Sequence, residues 1–200
     1  SVGGEDTYGI SFKDPWILNN HVSLSVNILS NLYKKRFLIA DIELKKIEIG
    51  IGKWFGDKIK SKISLASEYK IFKLEQDVVR YKYFNIFSNI AYDTRDLFWN
   101  PGKGLLLSSS FEYLIGYDLK IFHTLIWDQS VSFYMNLNNT QKNTVLAFNA
   151  RIKTKTGYKE RFFEDYIGSS NTIRGWDLPD SLTYKVETFR FGHEYLQTSI

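Results

Sequence analysis

Few groups in this chain have the type and spacing for bond chemistry. The histidines, His21, His123 and His193, are isolated, with no metal-ligand spacing. Cysteine is absent, which removes thiolate metal sites and a disulfide framework. Ser169 and Ser170 lack the strand-turn-helix context of a nucleophile elbow. GIGKWFG at 50–56 has neither the spacing nor the following helix of a dinucleotide or phosphate loop. Glu164 and Asp165 are adjacent carboxylates on a connection, better suited to anchoring a loop than to acid/base work. NNT at 138–140 fits a glycosylation acceptor, a pattern common by chance. The reading is a protein that is not an enzyme and has no metal and no cofactor.

One charged residue stands apart. Arg174 lies in GSSNTIRGWD (168–177), between Ile173 and Gly175-Trp176, inside a long aperiodic segment. On a surface such a guanidinium needs no reason. Buried, it needs a partner, because an unpaired buried charge costs several kcal/mol.

The elements that would position these groups are strands. Period-two alternation dominates. In 22–32, Val22, Leu24, Val26 and Ile28 oppose Ser23, Ser25 and Asn27. In 60–71, Ile63, Leu65, Tyr69 and Ile71 oppose Lys62, Ser64, Glu68 and Lys70. In 105–115, Leu105, Leu107, Phe111 and Tyr113 oppose Ser108, Ser110 and Glu112. In 144–155, Leu146, Phe148, Ala150 and Ile152 oppose Asn149, Arg151, Lys153 and Lys155. Further strands fit 5–13, 38–53, 81–92, 118–136 and 187–200. The phase slips near Lys45-Lys46, which predicts a bulge or an early loop. No long segment has a helical period. The sum is about nine strands in an antiparallel meander over residues 1–200.

Composition sets the frame. The chain has 200 residues, 44% apolar and 16% aromatic, so it is not a disordered segment. A net charge of +4, spread along the chain, gives no nucleic-acid stripe. No run approaches the roughly 18 apolar residues of a membrane helix. SVGGEDTYG at the start has no basic-then-apolar leader.

Alternation fits both a soluble sandwich and a membrane barrel. Three features favour the barrel. Many strands reach the roughly 9–11 residues needed to cross a bilayer. Lys, Arg, Glu and Asn sit in mid-strand, as a wet lumen allows. Counting connections also puts Trp16, Trp54 and Trp99 on one rim and Tyr33, Tyr81, Tyr83 and Tyr117 near the other, as interface aromatics require.

Two connections stand out. In YDTRDLFWNPGKG (92–104), Asn100-Pro101-Gly102 is turn chemistry, Gly104 follows, and Asp93, Arg95 and Asp96 are placed to pair locally. The connection 157–186 is far longer than the rest. Its Phe162, Phe163, Tyr166, Ile167, Ile173, Trp176 and Leu178 need something to pack on, and folding into the barrel supplies it.

FKDPW (12–16), YDTRDLFWNPGKG (92–104), FFEDYIGSSNTIRGWD (162–177) and FRFGHEYLQTSI (189–200) occur in the order seen in a known family. The chain resembles the BamA-type outer-membrane assembly family, the bacterial surface antigen barrels. The resemblance implies an all-β, antiparallel up-and-down transmembrane barrel of sixteen strands in the bacterial outer membrane. About nine are present here, an interior slice from about the fourth strand to the twelfth. Neither N-terminal periplasmic (POTRA) repeats nor closing strands are expected within it. It implies that the long loop folds into the lumen, with Arg174 as its latch, Gly175 as the close-approach glycine and Trp176 as the adjoining aromatic, where most members have Phe or Tyr. Phe162, Phe163, Tyr166 and Gly168 would pack that loop. The wall partners of Arg174 would lie on a strand after residue 200. The 93–104 turn would be periplasmic. The function implied is insertion and folding of barrel proteins. Partners would be unfolded β-barrel clients, accessory assembly lipoproteins and outer-membrane lipids of the lipopolysaccharide type, with no nucleic acid. The alternatives are a translocation pore of the same superfamily and a passive porin or surface antigen.

Overall fold

The structure, a computed structural model, describes residues 5–17, 22–33, 41–73, 78–118, 121–137, 144–158, 165–166, 191–192 and 194–199. Eight long strands follow one another: β1 (Glu5–Asp14), β2 (Val22–Tyr33), β3 (Asp41–Phe55), β4 (Ile59–Lys73), β5 (Val78–Asp93), β6 (Gly104–Gly116), β7 (His123–Asn136) and β8 (Val145–Gly157). Two short strands, β9 (Asp165–Tyr166) and β10 (Phe191–Gly192), form a small ribbon. β11 (Glu194–Ser199) then returns beside β8. The nine strands β1 to β8 and β11 make one antiparallel sheet in chain order. Among the described residues no helix is long and apolar enough to cross a membrane.

One face settles the choice left open by alternation. Tyr8, Ile10, Ile47, Ile49, Ile63, Leu65, Phe84 and Ile90 stand on the exposed face, with Ile63 and Leu65 each 59% exposed. The opposite row is polar and covered: Ser64 is 4% exposed, Glu68 7% and Asn85 5%. A sandwich buries its apolar face against a second sheet. Here the apolar face is bare and the polar one is enclosed, as in a barrel whose solvent is lipid outside and water inside.

The rims are set by the connections. β1–β2, β3–β4, β5–β6 and β7–β8 are joined at one end, here the turn rim. The other connections, including the long one after β8, lie at the loop rim. Toward the loop rim the two faces exchange character. Phe72, Tyr81, Tyr83, Leu114 and Phe122 form a buried inward cluster, with Ile42, Val79, Ile126 and Tyr158 packed against it. Outward at that level stand Glu43, Lys45, Lys73 and Lys82. The strands therefore run past the lipid belt into a zone where the outside is wet and the inside is packed.

This exchange corrects the expected irregularity at Lys45-Lys46. β3 pairs without a break to β2 and β4, and there is neither bulge nor loop. The apparent slip is Leu44 taking an inward place near the cluster while Glu43 and Lys45 face out above the belt. Tyr81 and Tyr83 are corrected for the same reason. They are 2% and 3% exposed, turned inward, and not part of an outer girdle. The seventh strand begins at His123, and 187–200 contributes β10 and β11.

Two positions require glycine. Gly157 ends β8 at φ +103°, and a Cβ there would overlap the His123 carbonyl oxygen. Gly104 opens β6 at φ +116°, against the backbone of Thr94 and Arg95.

Phe122 touches Tyr81 edge-on at 6.1 Å and stacks on Tyr158 at 5.0 Å. Phe122→Ala should lower stability by about 3 kcal/mol, as a large ring lost from a packed cluster does. A lowered urea midpoint of the refolded protein checks this; an unchanged midpoint would show that the cluster carries no weight.

Candidate functional site

Two constructions stand out: a charged ladder across the inner wall and a braced turn at the turn rim. The ladder crosses β3 to β6. Lys62 Nζ lies 2.7 Å from Glu48, and Lys46 Nζ lies 2.9 Å from Glu48 and 3.2 Å from Glu68. Glu68 also accepts the Tyr83 hydroxyl at 2.8 Å and the Asn85 amide at 3.1 Å. Asn85 donates on to Glu112. Register explains the line: Lys46, Glu68 and Tyr83 are consecutive partners, as are Glu48, Ala66 and Asn85. Beside the ladder a cleft of about 300 Å³ is lined by Lys46, Glu48, Lys62, Ser64, Asn85 and Glu112. Further round, Arg151 grips Asp128 with two parallel bonds across β8 and β7.

The ladder is made for holding. Its acids each have a cation or donor against them, so it offers no carboxyl pair for acid/base work. Among the described residues no three His, Cys, Asp or Glu side chains gather as a metal ion needs. What the arrangement does is fasten four neighbouring strands side to side on a wet wall.

The turn at 94–103 uses nearly every residue of its motif. Arg95 is bidentate to Asp93, at 2.9 Å and 2.7 Å, and its own amide returns to Asp93 at 3.1 Å. Its guanidinium lies 5.1 Å from the centre of the Phe98 ring. Asp96 Oδ1 accepts three backbone amides: Leu97 at 2.9 Å, Gly102 at 2.9 Å and Lys103 at 3.2 Å. Thr94 closes the base by exchanging bonds with Leu105. Pro101 and Gly104 shape the return, as their backbone preferences allow. The amides of Lys103, Gly102 and Leu97 hold the Asp96 carboxyl below the usual carboxylate range. The Asp93 carboxylate beside Arg95 raises the guanidinium's already high value. The braced turn presents Leu97, Phe98 and Trp99 to the outside, with Trp99 92% exposed.

Asp93, Arg95, Asp96, Pro101 and Gly104 are thus brought together as one unit. Trp16 and Trp54 share the turn rim with Trp99, and both are exposed. Trp54 continues the inward row of Gly50 and Gly52 and takes Lys60 over its ring at 5.1 Å, while Phe55 has the outward place. Arg174, Gly175, Trp176, Phe162, Phe163 and Gly168 lie outside the described residues. Tyr166 falls on β9, opposite Phe191.

The ladder was missed as a unit from sequence. Its members are visible as mid-strand charges, but which of them meet depends on register, and register needs the pairing.

Comparison with known proteins agrees with this architecture. The model of the Omp85 superfamily domain matches residues 2–200. Among solved structures the chain is similar to BamA from Haemophilus ducreyi, crystallised without POTRA domains 1–3, with a TM-score of 0.72 at 14% identity. The match covers 86% of this chain and 37% of that one, so this chain spans well under half of that relative's length. No curated protein matches the sequence.

Glu68→Ala strips Lys46, Tyr83 and Asn85 of their shared acceptor. The expected loss is about 3 kcal/mol, in the range for breaking a partly buried pair, read as a lower unfolding midpoint; Glu68→Gln should recover part of it. Asp96→Ala should raise amide exchange at Gly102 and Lys103 about tenfold or more, because their acceptor is gone. The Asp96 carboxyl is lowered in the folded turn. Its contribution is therefore complete above the ordinary value of 3.8 and fades as pH falls through the lower folded value. Protection of those two amides, taken relative to their intrinsic exchange at each pH, should fall only in that acid window, and a flat protection profile would contradict the assignment.

Proposed function

The chain belongs to the Omp85 superfamily, proteins of outer-membrane insertion and translocation, and from that premise we propose that it forms part of the barrel wall of an assembly factor that inserts and folds β-barrel proteins in the bacterial outer membrane. The observation that carries this is the belt. On β1 the outward residues Phe12, Ile10 and Tyr8 are bounded by Asp14 and Asp6. On β3 Ile51, Ile49 and Ile47 are bounded by Lys53 and Lys45. Each interval is eight residues. At about 3.3 Å per residue that is roughly 26 Å along the strand, and near 20 Å along the membrane normal at a tilt of about 45°. An apolar band is usually about 25 Å tall. The band is this short on β1 and β3, whereas the uncharged outward row runs from Ile59 to Ile71 on β4 and from Leu105 to Ile115 on β6. The short side thins the bilayer beside it, and thinning lowers the cost of passing a client's polar backbone into lipid.

The mechanism in this reading is mechanical. An unpaired strand edge elsewhere in the whole protein templates client strands, which add by backbone hydrogen bonds. Unfolded barrel clients and accessory lipoproteins are the partners. The braced turn faces the periplasm with Trp16 and Trp99 at that interface and Trp54 on the inward side of the same rim, and the long loop faces outside. Arg174, with Gly175 and Trp176, latches that loop inside the lumen, against acidic or aromatic wall groups. Phe162, Phe163, Tyr166 and Gly168 pack it. No bond chemistry is asked of any residue.

Depleting the intact protein should lower many outer-membrane barrel proteins together. Loss of one secreted client alone would assign a dedicated translocation pore, and unchanged levels of all would assign a passive porin. Arg174→Ala in the full-length protein should reproduce part of the depletion defect.

A further inference from the structure

The outward row of β7 carries one residue that hydrocarbon does not suit. Leu125, Trp127, Phe133 and Met135 are exposed along that row. Gln129 stands among them, also exposed, midway between His123 and Met135. Elsewhere the sheet turns its carboxamides to the lumen: Asn27, Asn31, Asn85, Asn89 and Asn149 all take inward places. Among the described residues no hydrogen bond reaches the Gln129 side chain. Its neighbour across the ladder, Ser109, already accepts from Trp127 Nε1 at 3.4 Å.

A carboxamide offers two N–H donors and an accepting oxygen. At the centre of an apolar belt lipid tails supply no counterpart, and a polar group without one is penalised there. The surface around Gln129 is also low. Ser109 lies directly opposite on β6, Ser88 lies beside Phe111 on β5, and Ala150 lies opposite Val131 on β8. Larger rings stand on either side. Phe111 and Trp127 stack at 6.2 Å toward the loop rim, and Phe133 faces Phe148 toward the turn rim. Small side chains at such a place let a second protein surface come close enough for a polar group to be reached.

We infer that Gln129 is the centre of a contact between two copies of this chain in the membrane. The inference rests on the reading of the chain as a membrane barrel. The bilayer itself selects a second copy. Two copies inserted the same way are related by an axis along the membrane normal, so each residue meets the other surface at its own depth. Gln129 then meets the same residue of the second copy in mid-belt. Each carboxamide oxygen accepts from the amide nitrogen of the other, which satisfies donor and acceptor together. A lipid carries its hydrogen-bonding groups at the headgroup level and cannot do this. The contact lies on the outer wall of β6 to β8, away from the ladder of β3 to β6 and its lumen.

The experiment uses the full-length protein, labelled with donor or acceptor dye at Lys103→Cys, an exposed position at the turn rim. Labelled copies are mixed in phosphatidylcholine vesicles over a series of protein-to-lipid ratios. Energy transfer should report a dimer that dissociates on dilution. Gln129→Leu removes no side-chain hydrogen bond within the described chain, so the barrel should insert as before. Its dimer should be about tenfold weaker, the scale of one hydrogen-bonded contact between membrane segments. Ser109→Trp keeps the carboxamide and blocks close approach, and should weaken the dimer at least as much. Leu65→Ala, on the outward face of β4, should leave it unchanged. A wild-type protein that stays monomeric at every density would overturn the contact, even if a different membrane protein binds this face. A dimer indifferent to both Gln129→Leu and Ser109→Trp would overturn it as well. A barrel that inserts and remains monomeric sinks this contact alone. A protein that never enters the vesicles sinks the barrel reading with it.

Discussion

In hydrocarbon a peptide group has no water to bond, so its partner must be another peptide group. That constraint governs the rest of the molecule. From β1 to β8 the pairing is continuous, each strand meeting its neighbour with no skipped residue across the paired spans. Once register is fixed in this way, side-chain direction has only two values. Every residue faces lipid or lumen, and its chemistry must suit that side.

The lumenal ladder follows from the same rule. Charges are excluded from the belt, so the mid-strand lysines and glutamates take inward places. A partly enclosed wall desolvates them, which penalises any charge left alone. Alternating sign across neighbouring strands resolves this: Lys62, Glu48, Lys46 and Glu68 each find their partner on the same strand or the next. Nearer the loop rim the solvents differ, and so does the pattern. Phe72, Tyr81, Tyr83 and Phe122 pack inside while Glu43, Lys45 and Lys82 stand outside. A single sheet thus crosses two environments with opposite polarity rules.

Strand content was legible in the sequence because period-two alternation is local. Val22 to Ile28 and Leu146 to Ile152 fall on the faces that pattern assigns. The 92–104 turn was legible because Asp, Arg, Pro and Gly act on their own backbone neighbours. Legibility ended where a pattern depended on more than one strand. The alternation around Lys45 looked broken because a rule for one solvent was applied across two. The rings of Tyr81 and Tyr83 were placed by rim and not by face. The ladder needed partners 14 to 27 residues away in sequence, such as Glu48 with Lys62 and Asn85 with Glu112. Arg174 was singled out by composition and family likeness alone.

The ladder acts like a hoop on a cask. It ties staves β3 to β6 at one height, at right angles to their length, so that panel resists being flattened or splayed. Beside it the inward positions Gly9, Gly50 and Gly52 carry no side chain, and Ser23 and Ser25 at that height reach only the Gly52 and Gly50 carbonyls, at 3.4 Å and 3.3 Å. Ser11 donates to Asn27 at 2.6 Å across β1 and β2, so the side-chain ties of that panel are short-range bonds between neutral groups, where the hooped panel has ion pairs.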